Sequence, residues 1–132
     1  MSTSTAATTT LTRADSHTFI PPHVPTFRCS SCSLELALQD ELVSRSFQGS
    51  SGPAYLLRSV FNVEIGEKAS KNLISGRHVI APISCSGCRT ELGWKYVRFQ
   101  FVSPDSSQKY KEGKCILEKN KIYKDIKWSI ED

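Results

Sequence analysis

The sequence predicts one domain built mainly from antiparallel β-strands. Three observations support this class: short apolar segments alternate with a period of two, glycines separate these segments, and no long stretch shows the period of an amphipathic helix. The chain of 132 residues can form a single hydrophobic core, and its hydrophobic fraction of 39% is ordinary for a globular protein. We therefore expect a small β fold.

The N-terminal segment is expected to be a disordered, Ser/Thr-rich tail covering residues 1–24. It begins MSTSTAATTTLTRADSHTF, which lacks the basic start and the apolar core of a secretory signal. Such a polar segment buries too little apolar surface to offset the entropy of ordering it. The folded domain is then predicted to occupy residues 25–132, in a compartment that keeps thiols reduced.

The first predicted strand lies in residues 54–65, AYLLRSVFNVEI. In this segment Phe61, Val63 and Ile65 fall on one side at period two, which indicates a strand with one buried face. Further strands are predicted at residues 74–85, at residues 93–101, and from Cys115 to Glu118 with a continuation near Ile122 and Tyr123.

Two of these strands carry a more specific expectation. Pro82 removes a backbone donor from the second strand, which predicts an edge strand or a bulge at that point. The third strand is expected to carry bulky side chains on both faces, because Lys95, Val97 and Phe99 alternate with Trp94, Tyr96 and Arg98.

Four of the five cysteines form two matched C-x2-C pairs, RCSSCS at Cys29 and Cys32 and SCSGCR at Cys85 and Cys88. A tight turn of this spacing directs both sulfurs at one point, where a zinc ion holds thiolates at about 2.3 Å. Two such pairs, with 52 residues between them, complete a tetrahedral site. Because four thiolates leave no open position for water or substrate, the sequence predicts one structural Zn²⁺.

Two other uses of the thiols compete with metal binding. A redox C-x-x-C pair normally follows a strand at a helix N-terminus and needs no matched second pair. Disulfides are disfavoured in a reducing compartment. Arg28 and Arg89 flank the two pairs, and their guanidinium groups would offset the negative charge of the site if they point inward.

The net charge of +4 gives weak support for nucleic-acid binding. Four thiolates around one divalent ion would lower that charge by two, and the C-terminal lysines are interleaved with acidic residues, as on a solvated face. No apolar run approaches the roughly 20 residues that cross a bilayer. Nucleic acid is therefore not favoured as a partner, and no membrane association is expected.

Three longer segments resemble a known family. SFQGSSGPAYLLRSVFNV, SGRHVIAPISCSGCRTELGWKYV and SSQKYKEGKCILE, together with the spacing of the thiol pairs, are similar to Yippee-type proteins over residues 27–128. The resemblance implies a β fold in which two antiparallel sheets meet at an angle and one zinc pins their apex. That fold is shared with Mis18 proteins and with the ligand-binding domain of cereblon. By the same resemblance, the four paired cysteines match the zinc ligands.

The resemblance also suggests a ligand pocket. Trp94, in the motif GWKY, aligns with one wall of the aromatic cage of cereblon, and Tyr96, His78 and Tyr55 are further candidates for the same pocket. The remaining cage tryptophans have no evident counterparts, since the other Trp is Trp128. The alternative is that these aromatic residues belong to the core, and that His78 is a hydrogen-bonded structural residue.

Cys115 is the fifth cysteine and suggests a comparison with methionine-R-sulfoxide reductase B, which has a similar fold and a nucleophilic cysteine on a late strand. The alternative is a buried small hydrophobe, because no catalytic partner is recognisable beside it.

The function implied by the resemblance is that of a non-enzymatic zinc-binding module with protein partners, found in nucleus and cytoplasm. The implied role is a subunit or adaptor of a ubiquitin-ligase assembly. Two alternatives remain: a small-ligand or degron receptor with its pocket at Trp94, and a thiol oxidoreductase that uses Cys115.

Overall fold

The computed structural model of the protein describes residues 17–73, 76–100 and 108–125. Within these ranges the chain forms ten β-strands, and the helical turns are short 3-10 segments. No helix in these ranges has the length and apolarity needed to cross a bilayer. The strands are β1 (Thr26–Cys29), β2 (Glu35–Leu38), β3 (Leu42–Gln48), β4 (Pro53–Leu57), β5 (Val63–Ile65), β6 (Ala69–Leu73), β7 (Gly76–Cys85), β8 (Glu91–Gln100), β9 (Cys115–Glu118) and β10 (Ile122–Asp125).

The strands of the described residues form two antiparallel sheets. The larger sheet has the order β3-β4-β9-β8-β7-β5, and β6 pairs with β7 beside β5. The smaller sheet has the order β10-β1-β2. The predicted fold class, mainly β with two antiparallel sheets, is confirmed.

The main core contains apolar residues of both sheets. Phe27 and Leu36 of the smaller sheet share one buried cluster with Leu57, Ile83 and Leu117 of the larger sheet. The ring centroids of Phe27 and Tyr55 lie 5.0 Å apart, which adds a direct aromatic contact between the sheets. Burial of these side chains is what holds the two sheets together away from the metal site.

A second, smaller cluster lies on the opposite face of the larger sheet. It contains Ala54 and Leu56 of β4, Trp94 and Tyr96 of β8, and Ile116 of β9, all of them buried. Because successive residues of a strand point to opposite faces, Ala54 and Leu56 lie on one side of β4 while Tyr55 and Leu57 face the main core.

Gly93 marks a close approach of two strands in the larger sheet. A Cβ added to Gly93 would lie 2.9 Å from the carbonyl carbon of Ile116 and closer still to its oxygen. This part of β8 therefore requires a residue without a side chain, because the obstacle is backbone and cannot rotate away.

The segment predicted as one strand over residues 54–65 is in fact two strands, β4 and β5. Asn62 has φ +57° and turns the chain between them. The intervening residues instead bond to other segments, since the N–H of Arg58 donates to the carbonyl of Glu41 and that of Phe61 to the carbonyl of Leu36. The alternation of apolar and polar residues alone could not reveal this turn.

The last predicted strand is also divided. Cys115–Glu118 is β9 of the larger sheet, whereas Ile122 and Tyr123 belong to β10 of the smaller sheet. A 3-10 turn at Lys119–Lys121 carries the chain from one sheet to the other. The prediction of a continuous strand was wrong because the hydrophobic pattern does not record a change of sheet.

The middle strands agree more closely with their predicted positions. β7 ends at Cys85 as predicted and begins at Gly76, while residues 74 and 75 lie outside the described ranges. β8 begins two residues before the predicted start, at Glu91, and Phe101 lies outside the described ranges. Strands β1, β2, β3 and β6 were not predicted.

Pro82 does not lie on an edge strand, because β7 has β8 on one side and both β5 and β6 on the other. It lies opposite Trp94, between the part of β7 that pairs with β6 and the part that pairs with β5. Its carbonyl accepts a hydrogen bond from the N–H of Gly66 at 2.8 Å. The missing donor of Pro82 therefore faces the gap between two short strands, where no ladder bond is required.

Candidate metal centre

The two C-x2-C pairs have the same turn geometry. In each pair the carbonyl of the first cysteine accepts a hydrogen bond of 2.8 Å from the residue after the second, from Ser33 to Cys29 and from Arg89 to Cys85. Ser33 has φ +66° and Arg89 has φ +67°, so the chain leaves both turns in the left-handed region. The shared geometry identifies both turns as metal-binding knuckles.

Each knuckle ends one strand of a different sheet. Cys29 is the last residue of β1 in the smaller sheet, and Cys85 is the last residue of β7 in the larger sheet. Backbone bonds close both turns, from the N–H of Cys29 to Leu34 at 2.9 Å and from that of Cys85 to Thr90 at 2.8 Å. An ion held by both knuckles would therefore connect the two sheets.

The four sulfur atoms have the spacing of a zinc site. All four lie within 4.8 Å of one another, with Cys29 Sγ 3.6 Å from Cys88 Sγ and Cys32 Sγ 3.5 Å from Cys85 Sγ. A tetrahedron with Zn–S bonds of about 2.3 Å has edges of about 3.8 Å. These sulfurs are too far apart for disulfides, which need about 2.05 Å. The donor set fits one Zn²⁺ held by Cys29, Cys32, Cys85 and Cys88.

Three of the cysteine thiols at this site have shifted pKa values, and the shifts differ in direction. Hydrogen bonds from Thr90 lower the pKa of Cys88 to about 6, and Thr90 Oγ1 lies 3.0 Å from its sulfur. Burial raises the pKa of Cys85 to about 12, partly opposed by the N–H of Gly87, which donates to its sulfur at 3.4 Å. Burial also raises the pKa of Cys32. The protein alone thus favours the thiolate at Cys88, and bound metal would supply the charge that ionises the others.

Gly87 leaves room for the second knuckle to approach the first. A Cβ at this position would lie 3.3 Å from Cys32 Sγ and 3.2 Å from Leu34 Cδ2. Any larger residue would therefore press on the sulfur of the opposite knuckle.

The flanking arginines do not compensate the thiolates. Arg28 Nε lies 2.5 Å from Asp125 Oδ2, and its NH2 group lies 3.1 Å from Glu35 Oε2. Arg89 pairs with Glu64 at 3.1 Å. Both guanidinium groups are thus paired with carboxylates, and Arg28 joins all three strands of the smaller sheet.

One family of zinc-binding proteins matches most of this chain. The family described as Yippee zinc-binding/DNA-binding /Mis18, centromere assembly, matches residues 25–131. The chain belongs to the Yippee-Mis18 family. The resemblance inferred from the sequence motifs is confirmed, and so is the prediction of a zinc site.

Individual Yippee-family relatives support the same assignment. Protein yippee-like 3 from Homo sapiens, Bos taurus and Mus musculus is 48% identical over 102 residues, which covers 77% of this chain and 82% of the relative. The crystal structure of the Mis18 'Yippee-like' domain matches with a TM-score of 0.57 at 16% identity, covering 77% of this chain and 95% of the other. At that identity the structural match shows the fold alone.

Asn62 joins three parts of this Yippee-family domain beside the second knuckle, and sequence reasoning missed it. Its carbonyl accepts bonds from Ser86 N at 3.0 Å and from Ser86 Oγ at 2.8 Å. Its side-chain amide donates to Glu35 O at 2.8 Å and exchanges two bonds with the backbone of Thr18. Asparagine tolerates the left-handed conformation, and this preference is the one feature of the sequence that could have pointed to Asn62 as a turn residue.

Thr18 belongs to the segment predicted as a disordered tail. Residues 17–24 are described, and Thr18 bonds to the domain through Asn62. Residues 1–16 lie outside the described ranges. The domain boundary at residue 25 therefore stays a prediction.

The candidate pocket residues do not all lie together. Trp94, Tyr96 and His78 are neighbours, since the ring centroid of Tyr96 lies 6.0 Å from that of Trp94 and 5.3 Å from that of His78. Tyr55 packs against the main core on the other face of the larger sheet. Its assignment to the pocket is corrected, because the register of β4 points its side chain away from Trp94.

His78 is a buried structural residue. Its ring lies between Tyr96 and Phe99, and its Nδ1 lies 3.1 Å from the carbonyl of Gly76. Burial lowers the pKa of His78, so the ring is neutral. Phe99 reaches the same face as Tyr96 because a register shift between Val79 and Ile80 reverses the alternation predicted for β8.

Cys115 is unsuited to act as a nucleophile. Its side chain is only 3% exposed, and burial raises its pKa to about 11. A thiol with this pKa stays protonated at neutral pH, and its position in the main core gives a substrate no access. It packs as a small hydrophobic residue.

Proposed function

We propose that this protein is a non-enzymatic protein-interaction module whose fold depends on one zinc ion. The observation that carries this proposal is the complete set of four thiolates between the two sheets. A site of this kind has no open coordination position, so the metal supplies structure and not reactivity.

We further propose that the module is a subunit or adaptor of a ubiquitin-ligase assembly and that it is found in nucleus and cytoplasm. Its support is the similarity of the chain's motifs to Yippee-type proteins. The description of the family includes both DNA-binding and centromere assembly, and the second of these supports protein partners. Nucleic acid is not favoured as a direct partner, since the arginines beside the zinc site are paired with carboxylates.

Affinity purification at native salt with nuclease treatment tests this role. Wild-type protein is expected to retain ligase subunits, and Cys115→Ala should retain the same set because it changes a cysteine outside the zinc site. Cys85→Ser should lose them, since it removes a ligand. Absence of ligase subunits from the wild-type sample would remove the ligase role. Retention by Cys85→Ser would show that binding does not depend on the folded domain.

A second candidate function is a small-ligand or degron receptor at Trp94. Two cavities adjoin this residue, one of about 380 Å³ and one of about 550 Å³. The indole Nε1 of Trp94 is buried and has no hydrogen-bond partner in the described part of the chain. Cavities of both volumes can hold small molecules, and an indole N–H without a partner can donate a hydrogen bond to a ligand.

Tryptophan fluorescence tests the receptor hypothesis. Cyclic imides or modified peptides that bind beside Trp94 are expected to quench its emission in wild-type protein and in Trp128→Phe. Trp94→Phe should abolish this response. A broad panel that quenches neither protein, or quenches Trp94→Phe equally, would contradict a pocket at Trp94.

A further inference from the structure

One side of strands β6, β7 and β8 carries a group of basic residues away from the zinc site. Successive residues of β7 point to opposite sides of the sheet, and Ile83 and Cys85 belong to the main core. Arg77, Val79 and Ala81 therefore lie on the same side as the core, but farther along the strand from the zinc ligand. We call this part of the larger sheet the basic face.

The strand register adds Lys95 and Arg98 of β8 to the basic face. Lys95 lies opposite Ala81, and Arg98 lies opposite Val79. Residues that are opposite each other on neighbouring strands share a side of the sheet. Uninterrupted alternation would have put Arg98 on the side of Tyr96, so the register shift between β7 and β8 redirects it to the basic face.

A fourth cation lies beside the same strands. Lys68 precedes β6 and lines a cavity of about 270 Å³ together with Arg98, Val79 and Val97. Lys68, Arg77 and Arg98 are exposed, whereas Val79 is buried. The cavity therefore combines two valines with two cations that reach solvent.

The cations of the basic face have no carboxylate partner within the described part of the chain. The ion pairs formed there involve other arginines. Arg77 donates instead to the neutral side chain of Asn72 at 3.3 Å. Asn72 and Ser70 are the residues that β6 contributes to this side, and neither is acidic. A partner with negative charge would therefore reduce the repulsion among these cations.

We propose that the basic face binds an acidic segment of a partner protein, in which Asp or Glu residues flank one apolar residue. The carboxylates pair with Lys68, Arg77 and Arg98, and the apolar side chain enters the cavity at Val79 and Val97. This inference rests on the proposed role as a protein-interaction module and adds the class of partner.

The dimensions of the basic face favour a peptide over a nucleic acid. From Arg77 to Ala81 the strand rises about 13 Å, and three neighbouring strands are about 10 Å across. An extended peptide of roughly four or five residues has this length, whereas a nucleic-acid-binding module buries about 600 Å² or more. The rings of Trp94, Tyr96 and Phe99 lie on the opposite side of β8, so they are not available to stack on bases here.

Fluorescence anisotropy with a labelled heptapeptide tests the class of partner. The peptide carries a valine between two groups of three Glu or Asp residues. Wild-type protein is expected to bind it, and the same peptide with Gln and Asn in place of Glu and Asp should bind at least about tenfold more weakly. A DNA duplex of equal charge should also bind more weakly than the acidic peptide.

Two charge reversals with the same net charge locate the site. Arg98→Glu should weaken binding of the acidic peptide at least about fivefold, because repulsion replaces attraction. Arg45→Glu changes an exposed arginine of β3, at the other end of the sheet, and should leave the affinity within about twofold at physiological salt. If Arg98→Glu fails to fold, Lys68→Glu, which lies outside the strands, should give the same loss.

Three results would overturn the inference. Equal weakening by Arg98→Glu and Arg45→Glu would mean that only net charge matters. Tighter binding of the DNA duplex, lost in Arg98→Glu, would make the partner a nucleic acid. If the acidic peptide does not bind wild-type protein, the basic face has no acidic partner, while the interaction module is still judged by the affinity purification.

Discussion

Replacement of Cys85 by serine is expected to leave the chain unfolded and free of zinc under conditions in which the wild-type domain is folded. The sulfur of Cys85 is buried and lies 3.5 Å from that of Cys32, so the change removes a ligand from the inner part of the site. Structural zinc contributes roughly 10–16 kcal/mol to the folding of small zinc domains, which is comparable with the whole stability of a typical domain.

Metal analysis and circular dichroism measure this effect. Wild-type protein should contain one zinc per chain and should lose its folded signal in a strong chelator. Cys115→Ala is the matched control, because it removes a buried thiol without touching the site, and it should keep zinc and lose about 1–2 kcal/mol. A Cys85→Ser protein with stoichiometric zinc and a cooperative melt would show that the four-thiolate assignment is wrong.

Gly93→Ala should produce a large loss of stability at a position away from the zinc site. A Cβ at this position overlaps the backbone carbonyl of Ile116 on β9, so the two central strands of the larger sheet must separate. We expect a loss of about 4 kcal/mol or more in the free energy of unfolding, measured by urea denaturation of the zinc-loaded protein.

Gly113→Ala is the control for this change. Gly113 has φ +84°, and no atom of the described residues lies within 4 Å of an added Cβ, so we expect alanine there to introduce backbone strain of about 1–2 kcal/mol. A Gly93 variant no less stable than the Gly113 variant would mean that β8 and β9 can part without cost.

The zinc site could be predicted from the sequence because its signal is local. Two knuckles of the same spacing identify the ligands whatever the rest of the chain does, and the structure places all four sulfurs together. Strands β7, β8 and β9 were also found, since each is a short apolar segment bounded by turn residues.

The remaining errors concern long-range pairing. The pattern in residues 54–65 continues through Asn62, yet the chain turns there because the amide of Asn62 bonds to Thr18 and Glu35, which are distant in sequence. Tyr55 was assigned to the wrong face because the orientation of a side chain depends on its strand's register. Nothing in the sequence distinguished the buried Lys111 from the other lysines, since the rings of Phe47 and Tyr96 beside its ammonium come from two separate strands.

The neighbouring positions of β1 and β10 have a consequence for synthesis on the ribosome. Residues 26–29 are translated before the second knuckle, whereas their partners at 122–125 follow both knuckles in the chain. A nascent chain can therefore hold zinc with all four thiols while one edge of β1 is still open. The metal would hold the two knuckles of the nascent chain together until β10 is translated and pairs with β1.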